Sequence, residues 1–430
     1  MNAQSNSPSE SKFAAFIGID WADTKHNICL QAVDSTQREF AVLPHRPADI
    51  DVWVATLRKR FHSQPVAICI ETSRGALVYA LQKYDFIVLF PINPATLAKY
   101  RQAFKPSRAK ADPTDAQIAL EILMNHRDKL KPLRPQSPAI RALTLLLEER
   151  RQIVDEQRRI TNRLVSNLKQ YYPLAHEWFE NKGTLLFCEF MARWPTLKQL
   201  RQARRKTLET FFREHNCHHP KLVEERLASI KNAVPLTEDP AIIRPLQLLV
   251  EGLVEQLRIT LKTIDRFDAE IDALAPTLPD YDLFRSLPGA GPTLAPRLLV
   301  AFGEQRDRYA SAAEIQMYAG IAPVTERSGK QHWVHWRMQC PTFLRQTFVE
   351  WAALTIPRSY WANAYYRQQR AKGAAHQAAV RALAFKWARI LYRCWLTRTP
   401  YDESKYLTAL QRRGSPLLAP PVQQEVAQVA

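Results

Sequence analysis

Four acids in this chain have the types and order that phosphodiester chemistry requires. Asp20 closes the apolar run Phe16-Ile-Gly-Ile-Asp20, and Glu71 closes Val66-Ala-Ile-Cys-Ile-Glu71 in the same way. If the two runs are neighbouring strands, the carboxylates converge at one sheet edge. Asp112 and Asp115, in Ala109-Lys-Ala-Asp112-Pro-Thr-Asp115, share one side of a helix's first turn. Oxygen donors of this kind suit a hard divalent cation such as Mg²⁺. Two such ions about 4 Å apart can activate a nucleophile and stabilise a leaving oxygen. Each acid also has an ordinary structural use, Asp20 as a strand-end turn residue and Asp112-Pro113-Thr114-Asp115 as N-cap, N1 proline and N3 acid. Taken singly the structural use is the commoner one. What favours chemistry is the order Asp, Glu, Asp-x-x-Asp on a strand-strand-helix frame.

A second group lies nearer the C-terminus. Gly289 and Gly291, in Leu287-Pro-Gly289-Ala-Gly291-Pro, resemble the glycine turn of a helix-hairpin-helix, which offers backbone N–H groups to a phosphate. A plain Gly-Pro loop between helices reads the same way, with Arg285 and Arg297 tilting the balance slightly towards DNA. Ser328 sits in Arg327-Ser328-Gly329-Lys330, where a hydroxyl between cations could attack a phosphodiester and Arg327 and Lys330 could stabilise the developing charge. Ser-Gly is also an everyday turn, and that is the commoner reading. In His332-Trp333-Val-His335-Trp336 the histidines could move protons and the tryptophans stack on bases, with strand core as the commoner explanation. His215-Asn-Cys217-His218-His219 lacks a second ligand pair and reads as a loop before Pro220.

Composition narrows the partner. The 430 residues carry a net charge of +18 on an ordinary globular background of 46% hydrophobic and 24% charged residues. Such a charge implies a polyanion, with nucleic acid the default, although a merely basic protein would share it. Six cysteines without a Cys-x-x-Cys pair suit reduced thiols. The polar start, Met1 to Lys12, lacks a signal-peptide core, and the most apolar stretch, Ala241 to Leu261, is broken by Arg244, Glu251, Glu255 and Arg258. The expectation is a cytoplasmic, nucleoid-associated protein with no membrane segment.

The elements that must position these residues follow from periodicity. Three β-rich runs, Phe13 to Trp21, Asn27 to Val33 and Glu39 to Leu43, predict an antiparallel meander. A helix over Pro47 to Phe61, a strand Val66 to Glu71, a helix Gly75 to Tyr84 and a strand Phe86 to Pro91 follow. Hairpin strands leading into β-α-β units give the order of an α/β ribonuclease-H-like domain, placed at 13–130. Helical spacing then predicts two long helices, Ala139 to Tyr172 and Ala241 to Leu274. The second has a seven-residue seam that should pair with the first helix or with its copy in another subunit. These elements define a helical coiled-coil region at 138–278, a mostly helical C-terminal domain at 283–410 and a disordered tail at 411–430.

The motifs Gly18-Ile-Asp20-Trp-Ala-Asp23, Glu71-Thr-Ser-Arg-Gly75, Pro91-Ile-Asn-Pro94, Lys110-Ala-Asp112-Pro-Thr-Asp115, Leu287-Pro-Gly-Ala-Gly291-Pro and Tyr318-Ala-Gly-Ile-Ala-Pro323 with Arg327-Ser-Gly-Lys330 occur in a specific order. Together they resemble the DEDD transposases of the insertion-sequence one-ten family, related to Piv-type DNA invertases. The resemblance implies a RuvC-like ribonuclease H domain, a coiled-coil middle and a C-terminal transposase domain. It implies that Asp20, Glu71, Asp112 and Asp115 hold Mg²⁺, that Ser328 forms a transient phosphoserine bond to DNA, and that a structured non-coding RNA of the element guides DNA selection. Gln331-His-Trp-Val-His-Trp-Arg337 departs from the Gly- and Arg-rich run common in that family. The expected function is therefore metal-dependent, serine-assisted strand exchange by a dimer or tetramer, with Gly289, Gly291, Arg327 and Lys330 on nucleic acid. The alternatives are a junction resolvase or endonuclease using water as nucleophile, and a non-enzymatic nucleic-acid-binding protein.

Overall fold

A computed structural model describes residues 13–104, 112–217 and 219–418, without the side chains of 112, 113 and 418. The chain divides into two compact units, one ending at Pro135 and the other beginning at Gln136.

The first unit is built on a five-stranded mixed sheet. Its strands are β1 (Ala15–Asp20), β2 (Lys25–Ala32), β3 (Glu39–Pro44), β4 (Val66–Ile70) and β5 (Ile87–Pro91), in the order β3-β2-β1-β4-β5. The β1-β2 and β2-β3 pairs are antiparallel; β1-β4 and β4-β5 are parallel. Short turns serve the first type of pairing, and the second needs crossover helices. These are α1 (Pro47–Arg60), before β4, and α2 (Ala76–Leu81), before β5, followed by α3 (Pro94–Phe104) and α4 (Asp112–His126). Because strand side chains alternate, Ile17, Ile19, Ile68 and Ile70 face α1 and α2. Ala67, Cys69 and Phe90 pack on the other face against Leu97 of α3 and Ile118, Ile122 and Leu123 of α4. This is the mixed sheet with helices expected from the sequence, and it is consistent with a ribonuclease-H-like fold.

The second unit is mostly helical. It comprises α5 (Pro138–Tyr171), α6 (Pro173–Glu177), α7 (Leu185–Arg193), α8 (Leu197–Gln202), α9 (Arg205–Glu214), α10 (Pro220–Lys231), α11 (Pro240–Leu274), α12 (Tyr281–Arg285), α13 (Gly291–Phe302) and α14 (Ala312–Tyr318). A hairpin of β6 (Val324–Ser328) and β7 (Gln331–His335) follows, then α15 (Thr342–Thr355), α16 (Tyr360–Ala371), α17 (His376–Thr397) and α18 (Glu403–Arg412). Both long helices start where their signals stand, Ser137 and Asp239 capping and Pro138 and Pro240 opening them. They pack antiparallel within the chain. Leu143 and Leu147 share a core with Ile271, while Leu164 and Leu168 share another with Val250, Leu253 and Leu257. The Arg150 guanidinium forks onto both oxygens of Asp268 between them. A 3-10 turn at Pro416–Leu418 extends helical structure past 411, the expected start of the tail. Among the described residues no helix is long and apolar enough to cross a membrane.

Candidate active site

Gly18 explains how the sheet and α4 meet. A Cβ built on it would lie 2.0 Å from the Ala116 carbonyl oxygen and 2.4 Å from the Leu120 backbone nitrogen, so β1 and α4 touch backbone to backbone. Gly18 and Asp20 are two residues apart and therefore belong to the same face of the sheet. Cys69 belongs to that face as well, and Glu71 is the residue that follows the end of β4. In the parallel register Ile19 is opposite Ile70, the last pair, so Asp20 and Glu71 are the residues that follow this pair, at the carboxyl ends of β1 and β4. The residue before Ala116 is Asp115, so the backbone contact at Gly18 also fixes the first turn of α4 over this face.

Asp115 is 3% exposed. Its Oδ2 accepts from Arg101 Nη2 at 2.6 Å, and its Oδ1 is buried without a hydrogen-bond partner among the described residues. A buried carboxylate oxygen left unpaired costs free energy, and a cation would satisfy it. Oxygen donors, one of them orphaned, fit a hard divalent ion such as Mg²⁺. The side chain of Asp112 lies outside the described residues, and among those described no three acidic, histidine or cysteine side chains form a metal-binding group. The backbone thus brings Asp20, Glu71 and the first turn of α4 to one region, with Asp115 held by Arg101.

The turn after Asp20 has its own support. His26 is fully buried; its Nδ1 accepts the Ala22 backbone N–H at 3.3 Å, so Nε2 carries the proton it donates to His45 Nδ1 at 2.9 Å. Burial, reinforced by the nearby His45, lowers the His26 pKa to about 4. Neither His26 nor Arg101 stood out in the sequence. Both act through partners that only the fold brings close.

Ser328 is the last residue of β6, opposite Gln331 across a two-residue turn in which Gly329 has φ +57°. A first turn residue in the left-handed region is what a type II′ hairpin demands, and glycine adopts it without strain. Ser328, Arg327 and Lys330 are exposed, and the Ser328 hydroxyl makes no hydrogen bond among the described residues. Glu326 shares its face but stands two residues away, roughly 7 Å along the strand, beyond reach as a base. All of β7 is exposed, including His332, Trp333 and His335. The strand-core reading of these aromatics therefore fails.

Gly289 (φ +74°) lies between α12 and α13, and Gly291 (φ +55°) is the first residue of α13. A Cβ on Gly289 would lie 2.9 Å from the Leu354 carbonyl oxygen, and Trp351 Nε1 donates to the Pro288 carbonyl at 3.0 Å, so this turn docks on α15. Gly291 faces open space. In the cluster before Pro220, His219 accepts from the Leu222 N–H as the cap of α10, in keeping with a loop, and His218 lies outside the described residues.

A 3-2-1-4-5 mixed sheet, acids at the carboxyl ends of its two central parallel strands and a helix laid over them are consistent with the ribonuclease-H-like class of nucleic-acid enzymes. Residues 17–173 match the DEDD transposase family of the IS110 type, described as Transposase, and residues 281–367 match the family described as Transposase IS116/IS110/IS902 family. The chain belongs to the IS110 family of DEDD transposases, enzymes of DNA transposition. It is 30% identical over 423 residues to the IS117 mini-circle protein of Streptomyces coelicolor, covering 95% of this chain and 99% of that one. An uncharacterised protein of insertion element IS110 from the same organism is 24% identical over 303 residues, 69% of this chain and 73% of its own.

Proposed function

We propose that this transposase cuts and rejoins the DNA of its insertion sequence by metal-dependent, serine-assisted strand exchange. The observation that carries the reading is the backbone contact at Gly18, which sets the first turn of α4 against the sheet whose two central parallel strands lead into Asp20 and Glu71. Asp20, Glu71, Asp112 and Asp115 would hold Mg²⁺, probed in the first instance as a pair. Bound Mg²⁺ supplies Lewis-acid stabilisation of the attacking and leaving oxygens. Ser328 Oγ loses its proton and bonds to phosphorus as the phosphorus–deoxyribose oxygen bond breaks and that oxygen takes up a proton. A deoxyribose hydroxyl of the recipient strand then reverses the step, returning a proton to Ser328. The serine ester conserves the phosphodiester's energy, so rejoining needs no external source. Arg327 and Lys330 flank the reacting phosphate and offset its developing charge. A net charge of +18 supports a structured guide RNA alongside DNA, held by a dimer or tetramer.

The test pairs two measurements. Asp20→Asn, Glu71→Gln, Asp112→Asn and Asp115→Asn should each abolish recombination while DNA binding persists. A protein–DNA adduct should be trapped with wild type and be absent with Ser328→Ala. Because the Ser328 hydroxyl has no base in contact among the described residues, a nuclease using water is the second reading. Normal strand exchange by Ser328→Ala would establish it in place of the first.

A further inference from the structure

The second unit contains a cleft of about 440 Å³ that the strand-exchange reading does not use. It is lined by Arg151 of α5, Trp336 just beyond β7, Arg345 of α15 and Gln377 and Arg381 of α17. Its volume lies within the roughly 300–1,000 Å³ of ligand clefts, and its lining is cationic without being neutralised. Three other arginines near the cores of this unit are matched by acids: Arg150 by Asp268, Arg297 by Glu350 and Arg306 by Asp280. Neither Arg345 nor Arg381 has a carboxylate partner among the described residues; instead their guanidinium carbons stand 4.9 and 4.5 Å from the centroid of the Trp336 ring. Arg151 reaches Asp155 only at 3.8 Å, and its Nε is buried without a hydrogen-bond partner among the described residues.

The shared indole gives each guanidinium a favourable contact, but it leaves most of their N–H donors unspent. Arg345 spends one, from Nη1 to the Arg337 carbonyl at 3.0 Å, and Arg337 Nε in turn donates to the Ala322 carbonyl at 3.1 Å. The cleft is thereby tied to both ends of the β6-β7 hairpin. Three planar forks converging on one opening, with a carboxamide at the rim, suit a tetrahedral oxyanion that can accept several donors at once. In an enzyme of DNA transposition the abundant anion of that form is the backbone phosphate.

We propose that the cleft of Arg151, Trp336, Arg345 and Arg381 is a seat for a nucleic-acid phosphodiester, holding a strand against the base of the hairpin. A phosphate seat reads charge and shape, not base identity, so it registers the strand without adding sequence preference. Ser328 stands at the other end of this hairpin, roughly 17 Å along β7. At about 3.4 Å of axis per phosphate of one strand, that is roughly five nucleotides. Only this spacing rests on the serine reading; the seat itself does not.

The test is binding of the full chain to three labelled probes of mixed sequence: duplex DNA, single-stranded DNA and single-stranded RNA. Arg345→Gln with Arg381→Gln should lower affinity at low salt about tenfold for each guanidinium, equally for unrelated sequences, and reduce the slope against salt by about one. Arg345→Lys with Arg381→Lys keeps the charge but loses the fork and the stacking on Trp336, and should recover only part of the affinity. The exposed pair Arg412→Gln with Arg413→Gln removes the same charge outside the cleft and should cost far less. The probe that loses affinity identifies the strand seated. Should the glutamine pair fold poorly, protection of Arg345 and Arg381 in wild type from an arginine-specific reagent by the bound probe gives the same answer. Equal affinity of the two glutamine pairs on all three probes, or no protection, overturns the seat. Ser328→Ala and Asp20→Asn should bind like wild type, so an active Ser328→Ala would remove the serine mechanism and leave the seat standing.

Discussion

Replacing Gly18 by alanine is the sharpest test of the site's construction. The new methyl carbon would stand 2.0 Å from the Ala116 oxygen and 2.4 Å from the Leu120 nitrogen, against about 3.4 Å for ordinary contact. Neither neighbour is the movable end of a side chain, so α4 must retreat from β1 by about 1 Å or more. Overpacking of a core typically costs about 1–3 kcal/mol, and rigid backbone on both sides places this case near 3 kcal/mol. The catalytic loss should be larger than the stability loss suggests, because a misplacement of about 1 Å costs on the order of 100-fold in rate. Thermal melting and excision of an element carrying its own ends would be measured on the same preparations. Gly252→Ala is the control: among the described residues nothing beyond the local backbone of its own helix lies within 4 Å of its added Cβ in the middle of α11, and alanine there should gain up to about 1 kcal/mol. If Gly18→Ala melted with wild type and excised at full rate, the reasoning about α4 and the acids would be wrong.

Two further outcomes follow from the same geometry. His26 is protonated at an ordinary 6.5 in the unfolded chain but only near 4 in the folded one, so stability is unaffected above about pH 6.5 and falls as pH drops from there towards 4. By pH 5 the loss should reach about 2 kcal/mol. Unfolding free energies from urea titrations at pH 7 and pH 5 should differ by that much more in wild type than in His26→Gln, and an identical difference would count against it. If the acids and Ser328 meet between subunits, mixing Ser328→Ala with Asp20→Asn protein should restore part of the activity; a mixture as inactive as either parent would place the two within one chain.

Much of the first unit was legible because its signals are local. The alternation in Phe16-Ile-Gly-Ile-Asp20 and Val66-Ala-Ile-Cys-Ile-Glu71 marks two strands with acids at their ends, and the hairpin-then-crossover order gives their neighbours. What Gly18 does was illegible, since its meaning is a distance to Ala116, nearly a hundred residues on. Arg101 was silent for the same reason: an ion pair to Asp115 leaves no mark at either position. The seam of α11 was readable, but a heptad pattern does not say which helix fills it, and only the fold gives α5 of the same chain. Around Trp333 and Trp336 composition misled, because aromatic residues in a strand read as core while this hairpin has no face covered by its own unit.

The antiparallel pair of α5 and α11 carries one core at each end. On α5 the fully buried residues are Ile140, Leu143 and Leu147, then Leu164, Leu168 and Tyr171, with none between; on α11 only Ile264 is buried between Leu257 and Ile271. A helix of 34 residues spans roughly 50 Å, so the two cores are held apart by a shaft with a shallow seam. Such a shaft is a ruler with divisions. Adding or removing seven residues in both helices would preserve the seam's phase and shift one core relative to the other by about 10 Å, without disturbing the packing of either. Reach within this unit is thus an adjustable length, set by heptad count and separable from the chemistry at either end.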